Sequence, residues 1–240
     1  MTRVAIFDRD ATLIDVVRDE ETGTIAVAFH PDQIRLLPGA VDGMRTLADA
    51  GFVLAIATNQ PGPAKGQISA RAVERTNGAL VELLVEQGIR VAGVEVCMHH
   101  PEGGPGGDPS LVMRCDCRKP KAGMLRALLS RFDGEAAASW MIGDSQGDVQ
   151  AGKAAGMRTG LVFATNRCEL CPLRPQSGGY NGETPDAHAG TVLDLAREIV
   201  AAKAANMSLG AAAESGEHEP GALPRSGEHE SGAPPRKRRT

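Results

Sequence analysis

The sequence predicts an α/β protein, a three-layer sandwich in which a central parallel sheet lies between helices. The first observation is that short apolar runs alternate with helical patterns along the chain. The second is that several of these runs end abruptly in acidic or hydroxyl side chains, which is typical of the carboxyl edge of a parallel sheet. The chain has 240 residues, enough for one domain with a sizeable core, and its hydrophobic content of 42% is ordinary. No apolar run is long enough to cross a membrane.

Five apolar runs predict strands, at 4–7, 53–57, 91–96, 139–142 and 159–163. The periodicity predicts helices over 41–50 and over 69–87, with Ser69 as the N-cap of the second. A third helix should run through Met124 and Leu128, with Pro120 in its first turn, so that Lys119 would lie at a helix N-terminus. Residues 13–37 are too few for a cap domain and predict a small β flap, with 24–29 as one strand. We therefore expect a capless protein with an open site.

Two aspartates, Asp8 and Asp10, follow the first predicted strand directly. Carboxylates at the carboxyl edge of a sheet can hold Mg²⁺, which prefers oxygen ligands. One of them can also attack phosphorus and become an aspartyl phosphate. The plainer interpretation of the same pattern is a strand end followed by a turn.

Three later segments carry matching polar groups. Thr58, Asn59 and Gln60 end the second predicted strand, and their hydroxyl and amide groups can bind a phosphoryl oxygen. Arg118 and Lys119 supply positive charge suited to phosphate. Finally, Asp144 follows the fourth predicted strand, with Ser145 next and Asp148 nearby; Asp144 could complete a metal site, and Asp148 could orient Asp144 or Lys119. Taken singly, these segments could equally be a polar turn, a solvated surface pair and a helix N-cap.

A second cluster combines thiols and imidazole. Cys97 with His99, and Cys115 with Cys117, alternate at a spacing of two, so each pair can point to one side of an extended loop. Three thiolates and one imidazole form a set suited to structural Zn²⁺. The loop of about 97–117 is rich in Gly and Pro and has little apolar surface of its own, so a metal would order it. His100 is the weaker candidate for the histidine ligand. Unpaired thiols, or a disulfide in an exported protein, are the alternatives.

These four strand ends, carrying acid, hydroxyl, lysine and acid in that order, resemble the haloacid-dehalogenase superfamily of phosphotransferases over roughly residues 1–200. The resemblance implies a Rossmann-like fold and assigns a role to each motif residue. Asp8 matches the nucleophile, Asp10 the general acid/base, and Thr58 and Lys119 the catalytic phosphate-binding groups. Mg²⁺ would be held by Asp8, the Asp10 carbonyl and Asp144, with Asp148 in support and Asn59, Gln60 and Ser145 near the phosphate. One departure is Ala11, which stands where relatives usually have glycine; a positive φ there would add strain.

The Cys-x-His-His-Pro and Cys-x-Cys-Arg-Lys-Pro patterns are similar to the zinc-containing branch of that superfamily, which hydrolyses small phosphate monoesters. The branch implies one of two substrates, the 7-phosphate of D-glycero-D-manno-heptose 1,7-bisphosphate or histidinol phosphate. A second phosphate needs further basic groups, for which Arg118 and Lys65 are candidates, and the scarcity of aromatic residues favours the sugar. A non-catalytic, zinc-stabilised interaction module is the alternative from another class, and the presence of both Asp8 and Asp10 counts against it.

The layout predicts a phosphatase domain at 1–207 and a disordered tail at 208–240. The tail is rich in Pro, Gly, Glu and Ala and repeats Ser-Gly-Glu-His-Glu at 215–219 and 226–230. Its basic end, 236–239, is too small a patch to indicate nucleic acid or membrane binding. We assign no function to Cys168 and Cys171. With no signal-like N-terminus, we expect a cytoplasmic protein, a monomer whose partner is a small phosphate ester.

Overall fold

The computed structural model describes residues 1–19, 21–163 and 183–202. The strands, numbered along the chain, are β1 (Arg3–Phe7), β2 (Val17–Arg18), β3 (Ile25–Ala26), β4 (Phe52–Asn59), β5 (Gly93–Cys97), β6 (Trp140–Gly143), β7 (Arg158–Val162) and β8 (Ala187–Ala189). The helices are α1 (Ala40–Asp49), α2 (Ala70–Glu86), α3 (Gly123–Arg131), α4 (Gln146–Ala154) and α5 (192–202). Among the described residues, no helix is long and apolar enough to span a membrane. The predicted tail, Cys168 and Cys171 lie outside the described residues.

The central sheet has six strands in the order β5-β4-β1-β6-β7-β8, and every neighbouring pair is parallel. The α/β prediction is therefore confirmed, and each of the five predicted strands is present. β1 lies at the centre, with β4 on one side and β6 on the other, so the direction of the strand order reverses there. In open α/β sheets this reversal creates the crevice in which ligands bind. The predicted flap is present as the antiparallel pair β2-β3, which is shorter than expected.

Helices cover both faces of the sheet. On one face Phe7 and Ile56 pack with α1, α2 and α5, and on the other Ile6 and Met141 pack with α3 and α4. Strands buried on both faces read as nearly continuous apolar runs, which is why the sequence identified them. Helix α2 begins where predicted, because the Ser69 hydroxyl caps it by accepting a hydrogen bond from the Ala72 amide at 3.2 Å.

The third helix begins later than the sequence predicted, so the placement of Lys119 at a helix N-terminus is wrong. Helix α3 starts at Gly123, and a turn precedes it in which the Lys121 amide donates to the Arg118 carbonyl. The Gly123 amide donates to the Asp116 carbonyl at 2.9 Å, and a Cβ on Gly123 would lie 2.5 Å from that oxygen. This close backbone contact holds the segment before Gly123 in the turn. The Lys119–Pro120 peptide is cis.

Ala11 has the positive φ that the sequence analysis named as a source of strain. Its φ is +58°, in the left-handed region that glycine adopts freely and alanine adopts only with strain. The turn is fixed by hydrogen bonds from the Leu13 and Ile14 amides to the Arg9 carbonyl, and from the Ala11 amide to the Ile14 carbonyl. The first motif therefore carries local strain that glycine would remove.

We expect Ala11→Gly to stabilise the fold by about 1 kcal/mol, because it relieves the left-handed alanine. The melting temperature should rise by about 2–4 °C. The matched control is Ala48→Gly in α1, at an exposed helical position, where glycine should cost about 0.5–1 kcal/mol. Thermal and urea unfolding of both variants measure this, and two changes of the same sign would contradict the assigned strain.

Candidate active site

The ends of three neighbouring strands bring the predicted motif residues together. Asp8 follows β1, Thr58 is the last but one residue of β4, and Asp144 follows β6. Because β1 pairs with both β4 and β6 in parallel, these carboxyl ends meet at the same edge of the sheet. The three residues that the sequence placed at strand ends, Asp8, Thr58 and Asp144, thus lie at one edge of the sheet.

Lys119 lies inside the acidic cluster. Its Nζ is 2.8 Å from Oδ1 of Asp8 and 2.6 Å from Oδ1 of Asp148, and its side chain is only 4% exposed. One carboxylate oxygen each from Asp8, Asp144 and Asp148 lie within 4.8 Å of one another. A single ammonium thus faces three carboxylates in a buried pocket.

The pKa values reflect this excess of negative charge. Burial raises the pKa of Asp8 to about 6; Lys119 opposes this rise, while the charges of Asp148 and Asp10 add to it. Burial also raises the pKa of Asp144, as do the charges of Asp148 and Asp8. For Lys119, burial favours the neutral amine, but the charges of Asp148 and Asp8 outweigh it and raise the pKa. A divalent cation would relieve the carboxylate repulsion, so the oxygen donors here suit Mg²⁺.

Asp148 links this cluster to the start of α4. Its Oδ2 accepts hydrogen bonds from the Ser145 amide at 3.1 Å and from the Ser145 hydroxyl at 2.6 Å, while Oδ1 contacts Lys119. Ser145 is the N-cap of α4 and Asp148 is its N3 partner in a capping box, so this segment is a helix cap as well as part of the acidic cluster, while Asp144 is not the cap. Gly143 is needed beneath Asp148, since a Cβ there would lie 2.5 Å from Oδ2 of Asp148. Asp148 therefore orients Lys119 and Ser145 together.

The two amides that follow Thr58 have different partners. Asn59 holds the backbone of Lys119, donating to its carbonyl at 3.0 Å and accepting from its amide at 3.1 Å. Gln60 donates to Oδ2 of Asp10 at 2.7 Å and to the Thr58 hydroxyl at 2.9 Å. Both amides thus hold other site residues in place. The residue that the sequence analysis missed is Arg9, which is buried against Asp10. A basic residue between two aspartates was the only signal for it.

The predicted thiol and imidazole cluster is also assembled. Sγ of Cys97 lies 3.7 Å from Sγ of Cys115 and 3.2 Å from that of Cys117, and Nδ1 of His99 lies 3.2 Å from the Cys117 sulfur. Sulfurs on a tetrahedral zinc, with bonds of about 2.3 Å, lie roughly 3.8 Å apart. Burial raises the pKa of the Cys97 thiol, so a cation would be needed to favour its thiolate. The four residues suit Zn²⁺, and all three cysteines are free of disulfides.

His100, the weaker candidate, has another role. Its Nδ1 accepts from the amides of Glu102 and Gly103, so the ring turns the chain as it enters the loop between the two halves of the cluster. Burial lowers the pKa of His100, and the charges of Lys65 and Arg118 lower it further. The backbone carbonyl of the neighbouring His99 accepts a hydrogen bond from the Arg118 guanidinium at 3.5 Å.

The glycines of this loop allow two backbones to touch. The turn that follows β4, residues 61–67, packs on the loop residues 103–108, and the Asp108 amide donates to the Pro63 carbonyl at 3.0 Å. A Cβ on Gly107 would lie 2.6 Å from the Ala64 carbonyl carbon and closer still to its oxygen. A Cβ on Gly104 would lie 2.7 Å from the Lys65 carbonyl oxygen. The Gly-rich composition thus serves close packing against the turn after β4.

Comparisons with known proteins agree with this geometry. The family described as "HAD-hyrolase-like" matches residues 116–169. D-glycero-beta-D-manno-heptose-1,7-bisphosphate 7-phosphatase of Pseudomonas putida is 39% identical over 126 residues, 52% of this chain and 66% of that protein. The protein of the same name from Pseudomonas aeruginosa is 34% identical over 157 residues, 65% of this chain and 79% of that protein.

A solved structure shares the fold. The D,D-heptose 1,7-bisphosphate phosphatase from B. bronchiseptica, complexed with magnesium and phosphate, has a TM-score of 0.63 and 25% identity, covering 84% of this chain and 99% of that one. Fold, site and relatives together place the chain among the haloacid-dehalogenase-like hydrolases, and it belongs to the phosphatases of that family. It is accordingly a phosphoric monoester hydrolase, as the sequence predicted.

We expect Gly107→Ala to destabilise the fold by about 1–3 kcal/mol, because its Cβ would overlap the Ala64 backbone, which cannot move aside as a flexible side chain can. Gly78→Ala is the matched control. Gly78 is an exposed residue within α2 with no atom near a built Cβ, so alanine should stabilise there by about 1 kcal/mol. Urea unfolding distinguishes the two, and a neutral Gly107 variant would mean that the loop does not pack on the turn.

Proposed function

We propose that this enzyme removes the 7-phosphate of D-glycero-D-manno-heptose 1,7-bisphosphate, a step of nucleotide-heptose biosynthesis. The names of the relatives support this substrate, and those names specify the beta form. The observation that carries the proposal is a basic cleft beside the nucleophile. A bisphosphate needs two anion sites at a fixed separation, and this cleft would supply the second.

The cleft has a volume of about 330 Å³ and lies between the loop of residues 97–117 and the turn before α3. It is lined by Pro101, Glu102, Met113, Arg114, Cys115, Arg118, Lys119, Pro120 and Lys121. Lys119 lines the cleft and also contacts Asp8, so the cleft opens next to the acidic cluster. The charge of Lys119 is already paired with Asp8 and Asp148. The three other basic residues of the lining, against one acidic residue, favour an anionic ligand. Lys65, the other candidate for the second phosphate, is not part of this lining.

The proposed mechanism is supported by the positions of the polar groups. The Asp8 carboxylate attacks phosphorus, and the bond from phosphorus to the sugar oxygen breaks. Asp10 gives its proton to that oxygen, which otherwise leaves poorly. Asp10 then takes a proton from a water molecule that hydrolyses the aspartyl phosphate and restores Asp8. Thr58 and Lys119 hold the phosphoryl oxygens during both steps.

Two metal sites belong to the proposal. Asp8, the Asp10 carbonyl and Asp144 would hold Mg²⁺, which supplies charge neutralisation for the phosphoryl group. Asp148 stays with Lys119 and Ser145 and supports this site. Cys97, His99, Cys115 and Cys117 would hold a structural Zn²⁺. The predicted cytoplasmic location, the monomeric state and the domain of 1–207 with its tail stay predictions.

The direct test is phosphate release from three substrates, the alpha and beta heptose 1,7-bisphosphates and histidinol phosphate. We expect the highest kcat/KM for a heptose bisphosphate. Asp8→Asn serves as the control against a contaminating phosphatase, since its amide cannot be the nucleophile while its fold should persist. Faster turnover of histidinol phosphate would replace the sugar with that alternative. No release from any of the three by the Mg²⁺-loaded protein would favour the non-catalytic module.

We expect one tightly bound zinc per chain that survives dialysis, whereas Mg²⁺ exchanges freely. Cys115→Ser combined with Cys117→Ser should abolish the zinc, lower the melting temperature, raise KM and lower kcat, because Arg118 and Lys119 directly follow the last ligand. The matched control is Cys168→Ser with Cys171→Ser, which should keep the zinc. Elemental analysis decides the question, and a full zinc content in the Cys115 and Cys117 variant would exclude this ligand set.

Arg118→Ala should penalise the bisphosphate selectively. A charge-assisted contact to a second phosphate is worth about 1.5–3 kcal/mol, so kcat/KM for heptose 1,7-bisphosphate should fall roughly ten- to hundredfold. A generic sugar monophosphate should lose much less. Arg71→Ala, which removes an exposed arginine of α2 outside the cleft, should change neither value. Equal losses on both substrates would show that Arg118 serves the transferred phosphoryl group.

A further inference from the structure

Arg9 is a fully buried arginine whose guanidinium grips the side chain of the next residue. Its Nε donates to Oδ2 of Asp10 at 3.1 Å, and its Nη2 donates to Oδ1 at 2.9 Å. This is the bidentate arrangement in which two parallel N–H groups fix the plane of a carboxylate. Arg9 is only 1% exposed, so solvent does not compete for these hydrogen bonds.

The guanidinium is itself anchored from two other parts of the chain. Nη1 donates to Oδ1 of Asn77 in α2 at 2.7 Å, and Nη2 also donates to the Ala28 carbonyl, just after the flap, at 3.1 Å. Asn77 is nearly buried, and α2 packs against the sheet. A long side chain that would otherwise sample many rotamers is thereby held in one. Its orientation is fixed by α2 rather than by the motif loop alone.

Gln60 completes the environment of Asp10 by donating to Oδ2 at 2.7 Å. Both carboxylate oxygens are therefore held by donors on the protein side. Each oxygen has two lone pairs. Both of those on Oδ2 are used by Arg9 and Gln60, so the one remaining acceptor site, on Oδ1, is available toward the ligand. A group that exchanges a proton with a substrate must lie within about 2.6–3.2 Å of the receiving atom, so the angle of the carboxylate matters.

We infer that Arg9, anchored by Asn77, is a positioning residue that aims the Asp10 carboxylate at the leaving-group oxygen. The inference rests on the proposed role of Asp10 as general acid and base. In the first step the proton passes from Asp10 to the leaving oxygen, and in the second a water proton returns to Asp10. Arg9 takes part in neither proton transfer. It acts only through Asp10 and touches no reacting atom.

The test uses the leaving group as its readout. p-Nitrophenolate leaves without a proton, whereas an alkoxide needs one, so loss of aim should affect alkyl phosphates selectively. In Arg9→Lys, which keeps the charge but loses the planar fork, kcat/KM should fall at least tenfold more for an alkyl phosphate than for p-nitrophenyl phosphate. Asn77→Ala should show the same selectivity to a smaller degree. Arg35→Lys is the matched control, since the Arg35 guanidinium donates to the carbonyls of Asp32 and Ile34 rather than to a carboxylate of the site.

A double-mutant cycle separates positioning from general damage. On an Asp10→Asn background, Arg9→Lys should cause no further loss for the alkyl phosphate, because the group that Arg9 aims is gone. Additive losses, or equal losses on both substrates, would overturn the inference. If Asp10→Asn itself shows no leaving-group selectivity, the proposed role of Asp10 fails instead, which distinguishes the two failures. Should Arg9→Lys not fold, as judged by thermal melting, Asn77→Ala carries the same test with Arg9 intact.

Discussion

The rest of the site depends on the ion pairs that the buried ammonium of Lys119 forms with Asp8 and Asp148. This ammonium lies between Asp8 after β1 and Asp148 in α4, and all three side chains are largely removed from water. Charges in such a place are favourable only when they are paired, and loss of the single ammonium would leave the carboxylates uncompensated, at a cost of several kcal/mol. The fold must therefore deliver Lys119 to this point with accuracy. It does so from a turn, with no helix dipole to help.

Three features hold that turn. The Asn59 side chain hydrogen-bonds the backbone amide and carbonyl of Lys119. The Gly123 amide donates to the Asp116 carbonyl, and Cys117 of the cysteine and histidine cluster lies two residues before Lys119. The sequence analysis predicted the charge at this position but placed it at a helix N-terminus. Pro120 is as suited to a turn as to a first helical position, and the backbone contact between Gly123 and Asp116 favours the turn. A backbone contact of this kind within a loop has no periodic signature in sequence.

The elements that the sequence did predict are those with strong local signatures. β1, β4 and β6 are apolar runs because both faces are buried, and their polar ends mark the sheet edge. By contrast, β8 is three residues long and contains no β-branched side chain; its pairing with β7 forms it. Arg9 was missed for a different reason. Neighbouring residues usually point apart, and only the bend after β1 lets this arginine return over Asp10.

Residues 58–60 connect these separate arrangements. Asn59 holds the backbone of Lys119, while Gln60 bridges Thr58 and Asp10, so one strand end contacts both Lys119 and Asp10. The same strand end is joined to the cysteine and histidine cluster, because the Gln60 amide donates to the Cys97 carbonyl at 2.7 Å. Since Cys115 and Cys117 lead into Lys119, a chain of contacts runs from β4 through this cluster and back to the ammonium. A metal at that cluster would therefore fix the distance between the strand end and Lys119. Its influence on the site would pass through the backbone, from Cys97 to Gln60 on one side and from Cys117 to Lys119 on the other.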